Sequence, residues 1–523
     1  MARGASPWPS TSAAAVLRPF GSACLLVPLL LVAGCASWHH GFPIPPEVTP
    51  TGVAARVLLP PDLNVNPTEI VVKPGTPGRA TLDPPVAAEQ PPGRFALPDA
   101  IAFALQNNPR LRSARAAIDR ARGQQQVAFA PFLPQIDLLG QYGVTSDNLG
   151  PGTPGYTGFL RALDGTHSYQ ETEVALQWTL YDFGRTGGRY RQAVARERIA
   201  EILHVRANQT VGFDVAAAYL GVLLARASYR VQEDAIRRAE AILEDTRARQ
   251  KAGVALKEDV LRAEVQLSES RVGLVVARRG EFDAAARLNN VMGRNAGSPL
   301  QVIDLEAQPA LPGTLADSLE RAASQRPEVD LARQAVAAAQ AGREAARAEF
   351  LPRIFVRASV GNTSGQNVRT GWQEGAGLHL EAPLYAGGRH QGELRAAAAD
   401  VEAALADAQA ILNAISLQVN LAYRDAVAAR EIIGLSRTAV DQAQENLRLV
   451  RIRYRNGTAT PTDIADAEAA LTRSQQRFFS ATYAYLAALA RLDYEMGQQL
   501  GAFLHTPADP EELPVPRPLP EGK

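Results

Sequence analysis

Four segments of the chain alternate apolar and polar residues. In the first, Ile136, Leu138, Tyr142 and Val144 share one face, and Asp137, Gln141 and Thr145 the other. In the second, Val174, Leu176, Trp178 and Leu180 oppose Glu173, Gln177 and Thr179. In the third, Ile354, Val356, Ala358 and Val360 oppose Arg357 and Ser359; in the fourth, Ala376, Leu378, Leu380 and Leu384 oppose His379 and Glu381. A period of two predicts β-strands. A span of about ten residues fits strands that cross a bilayer with apolar side chains on the lipid. A half-buried soluble hairpin shows the same alternation, so the pattern leaves both readings open. Phe132, Phe350, Trp178, Tyr181 and Tyr385 gather at one end of these segments, where an interfacial aromatic girdle would stand.

Between the alternating segments the period changes to that of a helix. Apolar residues recur at helical spacing, as in Val211, Val215, Tyr219 and Val222, or Leu412, Ile415, Val419 and Tyr423. From about Gly188 to Arg249, and again from Gln391 to Tyr454, there is no proline. Roughly 60 residues at about 1.5 Å each predict a helix of roughly 90 Å. Such a length belongs to a coiled coil rather than a globular core.

The two sets are copies. AFAPFLPQIDLLGQYG at 128–143 returns as ARAEFLPRIFVRASVG at 346–361, an offset of 218. LPDAIAFALQNNPRL and LADSLERAASQRPEV pair at the same offset. After the strands the offset becomes 204, pairing Leu176 with Leu380, Tyr181 with Tyr385, Tyr219 with Tyr423, Gly253 with Gly457, Asp259 with Asp463 and Gly293 with Gly497. The 14 residues of difference fall in TSDNLGPGTPGYTGFLRALDGT, which has the composition of a long loop. Each copy therefore reads helix, strand, loop, strand, long helix, turn, helix.

Four membrane strands leave unpaired edges, which lipid does not tolerate. They must close with other copies, and three chains would make twelve strands, an even number in the known range. The same symmetry would assemble the long helices into a tube.

Composition narrows the partners. Lys plus Arg and Asp plus Glu both number 54, and this neutral balance argues against nucleic acid, which demands a basic surface. The two cysteines, Cys24 and Cys35, support no disulfide framework and no thiolate metal site. His39 and His40 are adjacent but lack a third ligand nearby, so they read as solvated linker residues. Arg3, Arg18 and the apolar run from Ala23 to Ala33 read as a secretory leader over 1–34, too short to span a membrane as a helix. Its end, LVAGC, resembles the bacterial lipobox, which implies lipidation of Cys35 after cleavage. Ala36 follows, where the inner-membrane retention signal would place Asp. Without Arg3 and Arg18 the charge is 52 against 54, or −2. The Pro-rich stretch 35–94 reads as a linker and 506–523 as a disordered tail; the copies occupy 95–312 and 313–505.

The order and wording of the folded part resemble the TolC-like outer-membrane efflux proteins. FLPQI and FLPRI, LYDFGR and LYAGGR, and the tips RARQKAGVALKEDVLRAEVQL and RIRYRNGTATPTDIADAEAAL carry the resemblance, over about residues 95–500. It implies an α+β chain, mostly α and internally duplicated. Long coiled-coil helices would form an α-barrel, with four transmembrane β-strands per chain and a twelve-stranded barrel in the homotrimer. It also implies a mixed equatorial region, outer-membrane lipid around the barrel, a periplasmic adaptor protein, and an inner-membrane transporter. No cofactor and no resident metal are expected.

The helical hairpins turn at Gly253 and Gly457, where glycine permits a left-handed residue after a helix end. Thr460 can cap the next helix, Pro461 suits its first position, and Asp463 its third. Asp463, like Asp259, therefore has a plain structural reading as an acid at a helix N-terminus. Asp466 lies three residues on, where the first copy has Arg262. By the resemblance, Asp463 and Asp466 line the periplasmic constriction, six carboxylates in a trimer, and Tyr454 is the gating tyrosine. Such a ring attracts cations. The family's gating arginine position holds Ala459, so its link to the position of Asp259 cannot form; Arg453 and Arg455 are the candidate substitutes. The resemblance also makes 252–259 and 456–463 the adaptor contact, with Gly253, Asp259, Gly457 and Thr458 at the tips.

A periplasmic adaptor is the alternative, since adaptors also carry a lipobox and a long helical hairpin. An adaptor has one hairpin beside a lipoyl-like domain, not two copies with alternating strands. An enzyme is disfavoured: the chain shows no phosphate loop, no metal-spaced set and no nucleophile motif in a suitable context. The lipid anchor leans toward small-molecule efflux over protein secretion.

Overall fold

The structure is a computed structural model, and it describes residues 93–147, 165–305, 309–365 and 371–498. Cys35, the leader, His39 and His40, most of the Pro-rich stretch and the tail lie outside these residues.

The two copies are laid out in the same order. The first has α1 (Leu97–Asn107), α2 (Pro109–Phe129), β2 (Gln135–Asp147), β3 (Gly165–Tyr181), α3 (Arg185–Lys251) and α4 (Lys257–Met292). The second has α5 (Leu315–Gln325), α6 (Pro327–Ala348), β5 (Arg353–Gly365), β6 (Gly371–Glu381), α7 (Arg389–Arg455) and α8 (Pro461–Met496). Two short strands stand apart from this scheme, β1 (Gly93–Phe95) and β4 (Leu300–Val302), paired in parallel. Gly93 and Arg94 thus belong to a strand, two residues inside what reads as linker in the sequence.

The alternating segments form one antiparallel sheet in the order β2-β3-β5-β6. Ile136 faces Leu176, and Leu138 faces Val174. Val174 faces Val360, and Ile354 faces Leu380. All the apolar sets therefore lie on one side. That side is bare in the chain: Leu138 is 73% exposed and Leu380 70%. A soluble hairpin would bury it. Two details depart from the sequence expectation. Leu180 is the extra residue of a bulge, because Thr179 pairs with Phe355 and Tyr181 with Ile354. Leu384 lies outside β6, which ends at Glu381 ahead of Pro383, a residue without an N–H for the ladder. The aromatic residues do collect at the helical end of the sheet. Trp178 Nε1 donates to the carbonyl of Phe132 at 3.0 Å, and Phe132 packs edge-on against Tyr190.

α3 and α7 each run 67 residues, about 100 Å at 1.5 Å per residue. Each folds back on its successor, α4 or α8, and α3 also packs on α6 and α8. The main core sits midway along the helices, where Leu97, Ala100 and Ala104 of α1 meet Val211, Val215, Tyr219 and Leu223 of α3, Met292 of α4 and Leu486 of α8. The β1–β4 pair is fastened there: the Tyr219 hydroxyl lies 3.0 Å from the Phe95 carbonyl and 2.5 Å from that of Ile303. The counterpart Tyr423 reaches Gly313 in the same way, at 3.3 Å. Both hairpins end in a left-handed glycine, Gly293 and Gly497, wedged against the turn between the two short helices. A Cβ there would lie 2.8 Å from the carbonyl oxygen of Asn107 or of Gln325.

Candidate functional site at the hairpin tips

Both tips start from the same turn. After α3, Gly253 has φ +75° and donates to the Gln250 carbonyl at 3.0 Å, while Val254 N–H reaches Arg249 at 3.0 Å. After α7, Gly457 has φ +73°, its N–H meets Tyr454 at 3.0 Å, and Thr458 N–H meets Arg453 at 2.8 Å. These bonds satisfy the last carbonyls of each long helix.

The next helix starts differently in the two copies. Thr460 and Asp463 form a closed capping box: Thr460 N–H donates to the Asp463 carboxylate at 2.7 Å, and Asp463 N–H to the Thr460 hydroxyl oxygen at 3.3 Å. The Thr460 N–H, and after it the Thr460 hydroxyl, hold the Asp463 carboxyl below the usual carboxylate range. The first copy has Leu256 at that cap, which has no side-chain acceptor. There only Asp259 reaches back, accepting the Leu256 N–H at 2.9 Å. Asp463 and Asp259 thus both serve as caps. The side chain of Asp466, exposed one turn on, makes no ion pair or hydrogen bond among the described residues.

Tyr454 is buried. Its ring joins Leu447, Val450, Ile464 and Leu471 in a small core between α7 and α8. Across the seam, the Arg249 guanidinium of α3 lies 4.5 Å from the ring centroid, and its Nη1 donates to the Tyr454 carbonyl at 3.1 Å. The hydroxyls of Tyr454 and Thr246 are 3.4 Å apart. The arginine facing this tyrosine is therefore Arg249, from the other copy. Arg453, a candidate from the sequence, is instead tied to its own turn through the Thr458 carbonyl at 3.2 Å, and Arg455 is exposed.

Two further links join the copies. Arg262 Nη1 donates to the Thr462 hydroxyl at 2.9 Å while its other arm pairs with Glu258. Deeper in, Glu468 is 6% exposed and accepts from Arg238 of α3 and Arg451 of α7, both at 2.6 Å. The counterpart pair in the first copy, Arg247 and Glu264, also closes at 2.6 Å but on the surface. Neither Thr462 nor Arg238 is marked out by the sequence. The visible signal was the charge difference between Arg262 and Asp466.

The arrangement can clamp two helical hairpins together and present carboxylates at their end. Among the described residues, no group of three or more His, Cys, Asp or Glu could hold a metal ion.

The family model described as outer membrane efflux protein matches residues 100–294 and 318–498, one block per copy. The alkaline protease secretion protein AprF of Pseudomonas aeruginosa is 26% identical over 76% of this chain and 84% of its own length. The outer membrane protein TolC of Salmonella enteritidis is 27% identical over 75% of this chain and 79% of its own. The crystal structure of CusC superposes with a TM-score of 0.68 at 20% identity, covering 77% of this chain and 92% of that one, and so shares its fold. With both copies matched, most of the chain belongs to one architecture: it is a member of the outer membrane efflux protein family.

Proposed function

We propose that three copies of this chain form a channel-tunnel that is the passive exit duct of a tripartite efflux or secretion system. The strands close a barrel in the outer membrane, and the helical hairpins reach through the periplasm toward an adaptor and an inner-membrane transporter. One observation carries the reading: a sheet bare and apolar on one side, with both edges unpaired among the described residues, is continuous with helices about 100 Å long. A barrel wall needs the first part and a periplasmic conduit the second. Cys35 is the lipid attachment point in this reading, on the strength of LVAGC.

At the periplasmic end, Tyr454 keeps the two hairpins of one chain together, Asp463 fixes the turn, and Asp466 supplies the carboxylate of the constriction. Gly253, Asp259, Gly457 and Thr458 shape the two turns offered to the adaptor. Single-channel conductance of the lipidated protein in planar bilayers tests this. The wild type is expected to conduct weakly and favour cations, and Asp466→Asn to lose that preference. Asp463→Asn serves alongside it, since it keeps the cap's shape while removing its charge. A folded protein that never conducts would sink the duct, and an Asp466→Asn channel with unchanged selectivity would remove Asp466 from the constriction.

A further inference from the structure

The polar face of the sheet holds a ring that its alternation does not explain. Phe355 faces His379 across β5 and β6, on the side opposite to Val356 and Leu378. The two rings are stacked, with centroids 5.1 Å apart and planes 13° from parallel. On the same face the Arg353 guanidinium lies 5.1 Å from the Phe355 centroid, and its Nε and Nη2 donate to one oxygen of Glu381 at 2.9 and 2.5 Å. Arg357, the next residue of β5 on this face, is exposed, and its guanidinium has no ion pair or hydrogen bond among the described residues. It pairs with Gly377, which offers no side chain. The His379 imidazole leans toward that glycine, with Nε2 3.2 Å from where a Cβ would stand.

The sheet itself does not require this set, and the duplication supplies the control. Phe355 and His379 correspond to Asp137 and Ala175, Arg353 and Glu381 to Gln135 and Gln177, and Arg357 to Leu139. The first copy pairs them in the same register, Asp137 with Ala175 and Gln135 with Gln177. A hairpin of this register therefore forms without the aromatic stack and without the arginines. Cross-strand pairs of either kind contribute little, so the ladder accepts both. What differs is the surface shown on that side. The second hairpin shows a flat π surface beside an unpaired guanidinium, at the helical end of the sheet where β5 begins and β6 ends.

We propose that Arg357, Phe355 and His379 form a transit subsite for planar aromatic carboxylates. The proposal rests on the duct above, which puts the apolar face on lipid and this face on the pore. Arg357 lies diagonally across the ladder from His379, a separation that long and aromatic side chains bridge. Its fork matches a carboxylate, and the Phe355–His379 pair offers rings to stack on. A non-aromatic anion would engage the arginine alone, and an aromatic cation would be repelled by it. Cargo arriving through the helices meets this patch as it enters the strands. Exposed contacts of this kind hold weakly, which suits a ligand that must leave again.

Titration of the detergent-purified full-length protein with 1-naphthoate, read by the naphthoate fluorescence against a protein-free detergent blank, tests the subsite. Saturable binding is expected, with cyclohexanecarboxylate a poor competitor. Arg357→Gln should weaken it about tenfold, as the loss of a charge-assisted hydrogen bond implies, and Phe355→Leu about threefold, as the loss of a stacking partner implies. Arg357 is exposed and faces a glycine, so Arg357→Gln leaves the strand intact and decides the matter even where Phe355→Leu does not fold. Equal affinity in wild type and Arg357→Gln, absence of saturable binding, or displacement by cyclohexanecarboxylate as strong as by naphthoate itself would each overturn the subsite. Bilayer conductance in potassium chloride reports the duct separately. A protein that conducts but shows no Arg357-dependent binding keeps the duct and loses the subsite; one that binds naphthoate through Arg357 but never conducts keeps a binding patch and loses the duct.

Discussion

Arg249 and Tyr454 stand in opposite copies of the duplication, yet the guanidinium of one lies 4.5 Å from the ring centroid of the other. The same arginine donates to the tyrosine's carbonyl at 3.1 Å. This pair, with the hydroxyls of Tyr454 and Thr246, bridges the two hairpins close to their turns.

Removing that bridge should loosen the tip without unfolding the chain. Arg249→Ala gives up a cation–π contact of about 0.5–2 kcal/mol and a charge-assisted hydrogen bond of about 1.5–3 kcal/mol. Since about 1.4 kcal/mol is tenfold in an equilibrium, the open population should rise by tenfold or more. Bilayer recordings should show larger or longer openings, while thermal unfolding moves little. Equal conductance in wild type and variant would remove Arg249 from the gate.

Glu468 and Glu264 occupy the same place in the two copies but not the same environment. Glu468 is buried between two arginines, and Glu264 pairs with one arginine at the surface. Glu468→Gln leaves Arg238 and Arg451 without their anion and should cost about 3–5 kcal/mol. Glu264→Gln should cost about 0–1 kcal/mol. Limited proteolysis of the hairpins and thermal melting would separate the two; indistinguishable variants would mean that burial of Glu468 has no energetic weight.

The capping carboxylate sets a pH window. Asp463 titrates below the usual range because Thr460 donates to it, first from its N–H and then from its hydroxyl. A group with a depressed folded pKa favours the folded turn above the unfolded value, about 3.9, and loses that contribution only as pH falls through the lower folded value. In an Asp466→Asn background, any remaining cation preference should therefore be flat from neutral pH down to about pH 4. Thr460→Val should move its loss toward neutrality. A preference that fades between pH 7 and 5 without the Thr460 change would contradict the capping assignment.

Three left-handed glycines should respond differently to alanine. At Gly253, φ is +75° but nothing lies near a new Cβ, so Gly253→Ala meets backbone strain alone, about 1–2 kcal/mol. At Gly293 and Gly497 the same strain is joined by a carbonyl oxygen 2.8 Å from the Cβ position. Those two substitutions should lower the melting temperature further than Gly253→Ala, and by similar amounts. A ranking with Gly253→Ala worst would contradict the wedge at the short-helix turns.

What the sequence made legible is what repeats at short range. The faces of the four strands follow from alternation, the hairpin turns from Gly253 and Gly457, and the capping box from Thr460 and Asp463. Contacts across the copies were not legible. Arg249 meets Tyr454, and Arg262 meets Thr462, because of how two helical hairpins dock, and no period within either hairpin encodes that. The β1–β4 pair was missed for another reason: three residues per strand are too few to display a pattern. Leu180 shows the limit of alternation itself, since a bulge inserts one residue and the register resets after it.

The open edges of the four-stranded sheet have a consequence for biogenesis. A single chain in lipid would carry two rows of backbone N–H and carbonyl groups with neither water nor protein to meet them, at several kcal/mol for each group. The chain alone therefore has no stable membrane state to pause in. Strand insertion and subunit association become one cooperative event, so a cell that makes too little of this protein gets fewer pores, not partial ones.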